Sequence, residues 1–96
     1  MNYSFSRKSS GGSFDESLVN AVWQKGKIVV GYDPNKFRKD SYGAWMERSL
    51  YGEINSERGW EIDHILPSSK GGSPDLENLQ PLQWKNNRKK SDKLPR

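Results

Sequence analysis

The chain contains a single histidine, His64, directly after Asp63. A free imidazole, with a pKa of about 6.5, is largely neutral at pH 7 and can take a proton from water. The carboxylate beside it can ligate a hard divalent ion. Taken alone the pair says little, because a lone histidine is more often a hydrogen-bonded structural residue than a base. Two amides, Asn78 and Asn87, follow it at spacings of 14 and 23 residues. A cationic segment begins around the second amide. Lys85, Arg88, Lys89, Lys90, Lys93 and Arg96 stand against Asp92 alone, a net +5 over residues 85–96 in a chain whose total is +4. Residues 1–84 therefore carry −1. A concentrated basic end is the electrostatic footprint of a phosphate-backbone binder. A solvated, frayed tail has the same composition.

These residues need elements to position them. Trp60 to Leu66 reads as a strand ended by Pro67, which puts Asp63 and His64 near its exit. Strict alternation sends those two side chains to opposite faces, so they share a site only if the strand bends or ends there. Ser68 to Gly72 reads as a loop, with Gly71-Gly72 allowing a reversal. A helical turn is expected at 74–77, with Pro74 at its first position. Leu79 to Trp84 reads as a second strand, on an edge because of Pro81. A helix follows from Lys85 to about Lys93. Upstream, Ser13 and Glu16 fit a capping box for a helix over 14–25, closed by Gly26. Lys27 to Tyr32 is a β-branched run expected as a strand, and 41–50 is expected to be helical. Met1 to Gly12, rich in Ser and Gly, is expected to be a mobile arm. Residues 13–96 are then a single domain.

Composition narrows the functional classes. Leu, Ile, Val and Phe total 18 of 96 residues, so the core must lean on the four Trp and four Tyr. So little wall material argues against a large cavity for a small-molecule cofactor. No apolar run approaches a membrane span. Residues 1–12 lack the hydrophobic region of a secretory signal, and a cytoplasmic location is expected. Cysteine is absent, which excludes disulfides, thiol nucleophiles and cysteine-held structural zinc.

The stretch WEIDHILPSSKGGSPDLENLQPLQWKNNRKKSD, Trp60 to Asp92, closely resembles the HNH nuclease motif, also called the ββα-metal fold. The upstream segment GYDPNKFRKDSYGAWMERSLYG resembles the leader of small bacterial and phage HNH proteins. An isolated Asp-His pair is uninformative. The ordered set of Asp-His, Gly-Gly, Asn-Leu-Gln-Pro-Leu and Asn-Arg-Lys-Lys is specific. The resemblance implies an α+β fold, a ββα-metal finger at about 58–94 with an N-terminal helix and strand extension and no structural zinc. Packing then replaces the zinc, through the N-terminal helix, Trp45, Trp60 and Trp84.

The resemblance also implies roles. His64 matches the general base, Asp63 the metal-binding acid before it, and Asn78 the central Asn that holds the loop and orients the histidine. Asn87 stands where most members have a final His, so the motif here is His-Asn-Asn. HNH domains of CRISPR effector nucleases are similar in carrying an Asn there as a metal ligand. The implied activity is metal-dependent hydrolysis of DNA, double-stranded in the first instance, leaving a 3′-hydroxyl and a 5′-phosphate. One divalent ion is implied; oxygen ligands favour Mg²⁺ or Mn²⁺ over Zn²⁺ or Ni²⁺. Arg38, Lys85, Arg88, Lys89, Lys90 and Lys93 are the candidate phosphate contacts. The competing readings are a DNA-binding module of a larger complex that cuts poorly or not at all, and a purely structural protein.

Overall fold

A computed structural model describes residues 15–92; the expected arm at 1–12, Ser13, Lys93 and Arg96 lie outside the described residues. Helix α1 spans Glu16–Trp23. Its N-cap is Asp15, not the expected Ser13. The Asp15 carboxylate accepts from the Leu18 backbone N–H at 2.8 Å and from the Ser17 hydroxyl at 2.9 Å. One orphan N–H of the first turn is thereby satisfied. Val19, Val22 and Trp23 form the buried stripe of α1.

The segment 27–32 is not a strand. It makes one bridge, in which Lys27 and Lys39 exchange backbone hydrogen bonds, and then turns through Tyr32 N–H to Val29 O. Ile28 and Val30 stand 64% and 95% exposed. β-Branched residues favour strands because they pack on a pleated, half-buried surface, and no such surface is offered here. The expected helix at 41–50 is also absent. Strands β1 (Phe37–Lys39) and β2 (Trp45–Glu47) pair antiparallel instead, followed by a 3₁₀ turn at Arg48–Leu50. The Asp40 carboxylate accepts from the N–H groups of Tyr42 and Ala44, and Gly43 takes a left-handed φ of 90°. That turn returns the chain and buries Met46 completely.

The C-terminal half follows the expected order. Strand β3 (Trp60–His64) pairs antiparallel with β4 (Leu79–Gln83), with Asp63 opposite Gln80 and His64 opposite Leu79. Pro81, opposite Ile62, is tolerated because each strand of a two-stranded sheet is an edge. Between the strands lie 3₁₀ turns at Ser68–Lys70 and Leu76–Asn78. Helix α2 (Trp84–Asp92) leaves β4 without a linker. The Gln83 side-chain oxygen accepts from the backbone N–H groups of Lys85 and Asn86, which caps its first turn.

One core joins the halves. Val19, Val22 and Trp23 of α1 meet Met46 of β2, Trp60 and Ile62 of β3 and Leu79 of β4. The rings of Trp23 and Trp60 pack at 5.2 Å, and Tyr51 lies 5.0 Å from Trp60. Of the four tryptophans expected in the core, Trp23 and Trp60 are buried and Trp45 and Trp84 half-buried. A polar knot also bridges the halves. Asp40, 1% exposed, accepts from the Gln83 backbone N–H at 3.0 Å and from the Asn86 side chain at 2.9 Å. This carboxylate ties the β1–β2 turn to the β4–α2 junction.

Candidate active site

Strand β3 alternates. Trp60 and Ile62 enter the core, while Glu61 and Asp63 turn toward α2. Asp63 is 8% exposed. Its Oδ2 accepts from the Gln80 amide at 2.9 Å, and its Oδ1 faces the Lys90 ammonium at 3.3 Å. The same ammonium donates to the His64 backbone oxygen at 2.8 Å. Burial pushes the Asp63 carboxyl above its ordinary range, against the opposing pull of Gln80 and Lys90. His64 closes the strand and is half-buried. Burial lowers its pKa, the Asp63 charge raises it, and the Lys90 charge lowers it again. The net shift is downward, so the neutral imidazole predominates at pH 7.

Asn78 locks the loop that leaves His64. Its side-chain oxygen accepts from Leu66 N–H at 2.9 Å, and its amide donates to Leu66 O at 3.1 Å and to Ser73 O at 2.7 Å. Its backbone oxygen takes Ile65 N–H at 2.7 Å. Gly72 lies so close beneath that a Cβ there would sit 1.7 Å from Leu66 O and 2.9 Å from the Asn78 amide nitrogen. Lys25, at the end of α1, donates to the carbonyls of Leu76 and Leu79 and steadies the turn that carries Asn78.

Asn87 sits in the first half of α2, and its amide donates to Glu61 Oε1 at 2.8 Å. Arg88 reaches the other oxygen of Glu61 at 3.1 Å. Two rungs therefore join β3 to α2, Glu61–Asn87 and Asp63–Lys90. Glu61 and Gln80 were not among the expected site residues. Strand alternation from Asp63 was the signal for Glu61; Gln80 is fixed only by the register with β4.

The candidate phosphate contacts divide. Arg38 is placed in a structural role: it is 5% exposed, its guanidinium donates to the carbonyls of Pro34, Gln24 and Gly26 and to the Gln24 side chain, and it lies over the Trp23 ring. Those bonds use four of the five guanidinium N–H donors. Lys85 pairs with Glu57 at 2.9 Å and Arg88 with Glu61, both on the surface. Lys89 is exposed. Lys90 is turned onto Asp63, and Lys93 lies outside the described residues.

Among the described residues no three His, Cys, Asp or Glu gather to hold a metal. The donors present still suit a small hard cation. Asp63 is a buried carboxylate already held by a positive group, and the Asn87 amide stands one helical turn before that group. Most of such an ion's coordination would fall to water and substrate, as hard divalent ions prefer.

The family model for HNH endonuclease matches residues 52–93. That segment belongs to the HNH endonuclease family. The match covers both strands of the β3–β4 hairpin, the loop pinned by Asn78, and α2. HNH endonucleases generally hydrolyse nucleic acids and use a divalent metal. No curated protein and no solved structure gives a significant match to the chain. Among the described residues no helix is long and apolar enough to cross a membrane.

Proposed function

We propose that the HNH segment makes this chain a metal-dependent endonuclease that hydrolyses phosphodiester bonds in double-stranded DNA. The observation that carries the reading is the Asp63–His64 strand end, contacted by Lys90 of α2 and backed by the loop that Asn78 holds. His64, neutral near pH 7, takes the proton of the attacking water. Asn78 keeps the backbone after His64 in one geometry, so the base is positioned before substrate arrives. Asp63 and Asn87 are the residues that would hold Mg²⁺ or Mn²⁺. Such an ion supplies Lewis-acid stabilisation of the phosphoryl and leaving oxygens. Lys85, Arg88, Lys89 and Lys93 supply the positive field for the backbone. The expected products carry a 3′-hydroxyl and a 5′-phosphate.

Incubating supercoiled plasmid with the full chain tests this reading. Nicked or linear product with Mg²⁺ or Mn²⁺, absent with EDTA and in Asp63→Ala and strongly reduced in His64→Ala, is the expected result. DNA binding without cleavage under any divalent ion would overturn it in favour of a non-catalytic DNA-binding HNH module.

A further inference from the structure

The Lys90 ammonium is held by two oxygens, Asp63 Oδ1 at 3.3 Å and His64 O at 2.8 Å. Asp63 Oδ2 is engaged by Gln80. The oxygen that faces α2 is therefore already taken by a cation belonging to the chain. The pair is mostly shielded from water, with side-chain exposures of 21% for Lys90 and 9% for Asp63. A Mg²⁺ ion about 2.1 Å from Oδ1 would lie within about 5.5 Å of the ammonium. Like charges that close, in a partly dry site, repel strongly. Asn87 and Lys90 are three residues apart on α2, so both address the same stretch of β3.

We propose that Lys90 is an internal counter-cation of Asp63, which a divalent ion must displace in order to bind. The inference rests on the reading of Asp63 as a metal ligand. Without metal, Lys90 neutralises a carboxylate that burial would otherwise penalise. With metal, its long flexible stem carries the ammonium out toward solvent. Lys90 therefore weakens metal affinity while stabilising the metal-free fold. It also makes the site discriminate by charge: a monovalent ion offers too little to displace an ammonium already held by two oxygens.

Calorimetric titration of the full chain with MnCl₂ alone tests the proposal. Lys90→Gln removes the charge but keeps a donor for Asp63 and His64 O; Lys90→Met removes both. Each should bind Mn²⁺ roughly fivefold more tightly than wild type, the scale of a partly exposed carboxylate–ammonium pair. Each should melt lower without metal and show a larger rise in melting temperature when Mn²⁺ is added. Lys89→Gln removes the same charge from the exposed neighbour and should leave Mn²⁺ affinity near wild type, as should Lys90→Arg, which keeps the cation. Circular dichroism establishes that each variant is folded, and Lys90→Gln guards against loss of fold in Lys90→Met. Unchanged or weaker affinity in Lys90→Gln, with binding still abolished by Asp63→Ala, would overturn the role of Lys90 and leave the nuclease reading standing. Equal tightening in Lys89→Gln would also overturn it, as a whole-chain charge effect. Binding that survives Asp63→Ala, or no binding in any variant, would remove Asp63 as the ligand and the proposal with it.

Discussion

At the scale of single residues, His64 is the most testable group, because it is the only histidine and its ring protons titrate alone. Burial is the largest influence on it and Asp63 opposes burial. In the metal-free protein its NMR titration midpoint should lie below the ordinary value of about 6.5. Asp63→Asn removes the one charge that raises it, so the midpoint should fall further; a rise would contradict the arrangement. The sign for stability follows. The native state binds this proton less readily than the unfolded chain, so the His64 contribution weakens as pH falls through about 6.5. His64→Ala should reduce cleavage about 10²–10⁴-fold, the usual cost of losing a general base, with Mn²⁺ affinity unchanged. A variant that cuts at the wild-type rate would exclude His64 from the reaction.

At the scale of elements, the loop between β3 and β4 is held by one side chain and one missing Cβ. Asn78→Ala removes three side-chain hydrogen bonds to Leu66 and Ser73 and should cost about 2 kcal/mol in denaturant unfolding. Gly72→Ala forces its methyl against the Leu66 carbonyl and should disturb the same loop from the other side. Both variants should lower the cleavage rate more than DNA affinity, since the loop sets the exit from His64 rather than the basic surface. Normal cleavage in a demonstrably folded Asn78→Ala would mean that the loop does not position the base. The sequence made this region legible: Gly-Gly, Asn78 and the two strands stand in a local order that a hairpin can satisfy by itself. The β1–β2 hairpin was not legible. Its strands are three residues each, and its turn is stabilised by Asp40, whose other bonds go to Gln83 and Asn86, more than forty positions away.

Across the whole molecule, basic residues sort into those that hold the fold and those that face solvent. Arg38 binds carbonyls near the end of α1 and the entry to β1, and Arg48 binds Glu16 and Asn20 of α1. Arg38→Ala should therefore lower the melting temperature and leave the salt dependence of DNA binding at the wild-type slope. Replacing Lys89 and Lys93 with Glu should flatten that slope, by about 0.9 for each phosphate no longer neutralised. Fluorescence anisotropy with duplex DNA over a salt series measures both. An unchanged slope in the Lys89/Lys93 variant would mean that this charge does not meet the backbone.

The sequence by itself determined the β3–loop–β4–α2 order, the pairing of Asp63 with His64 at a strand exit and the cationic character of the C-terminal helix, because each depends on residues close together in the chain. Only the tertiary structure decided what each charge does. Lys90 and Arg88 are alike in charge, yet one faces a buried carboxylate and the other a half-buried one, since β3 register and helix phase bring Asp63 to the first and Glu61 to the second. Arg38 could serve as a phosphate contact or a structural cation by sequence, and its guanidinium is bound to backbone carbonyls; Lys27 to Tyr32 looked like a strand and has no strand partner beyond Lys39 among the described residues. Propensity and charge are properties of a segment, whereas burial and partnership depend on which distant segment packs against it.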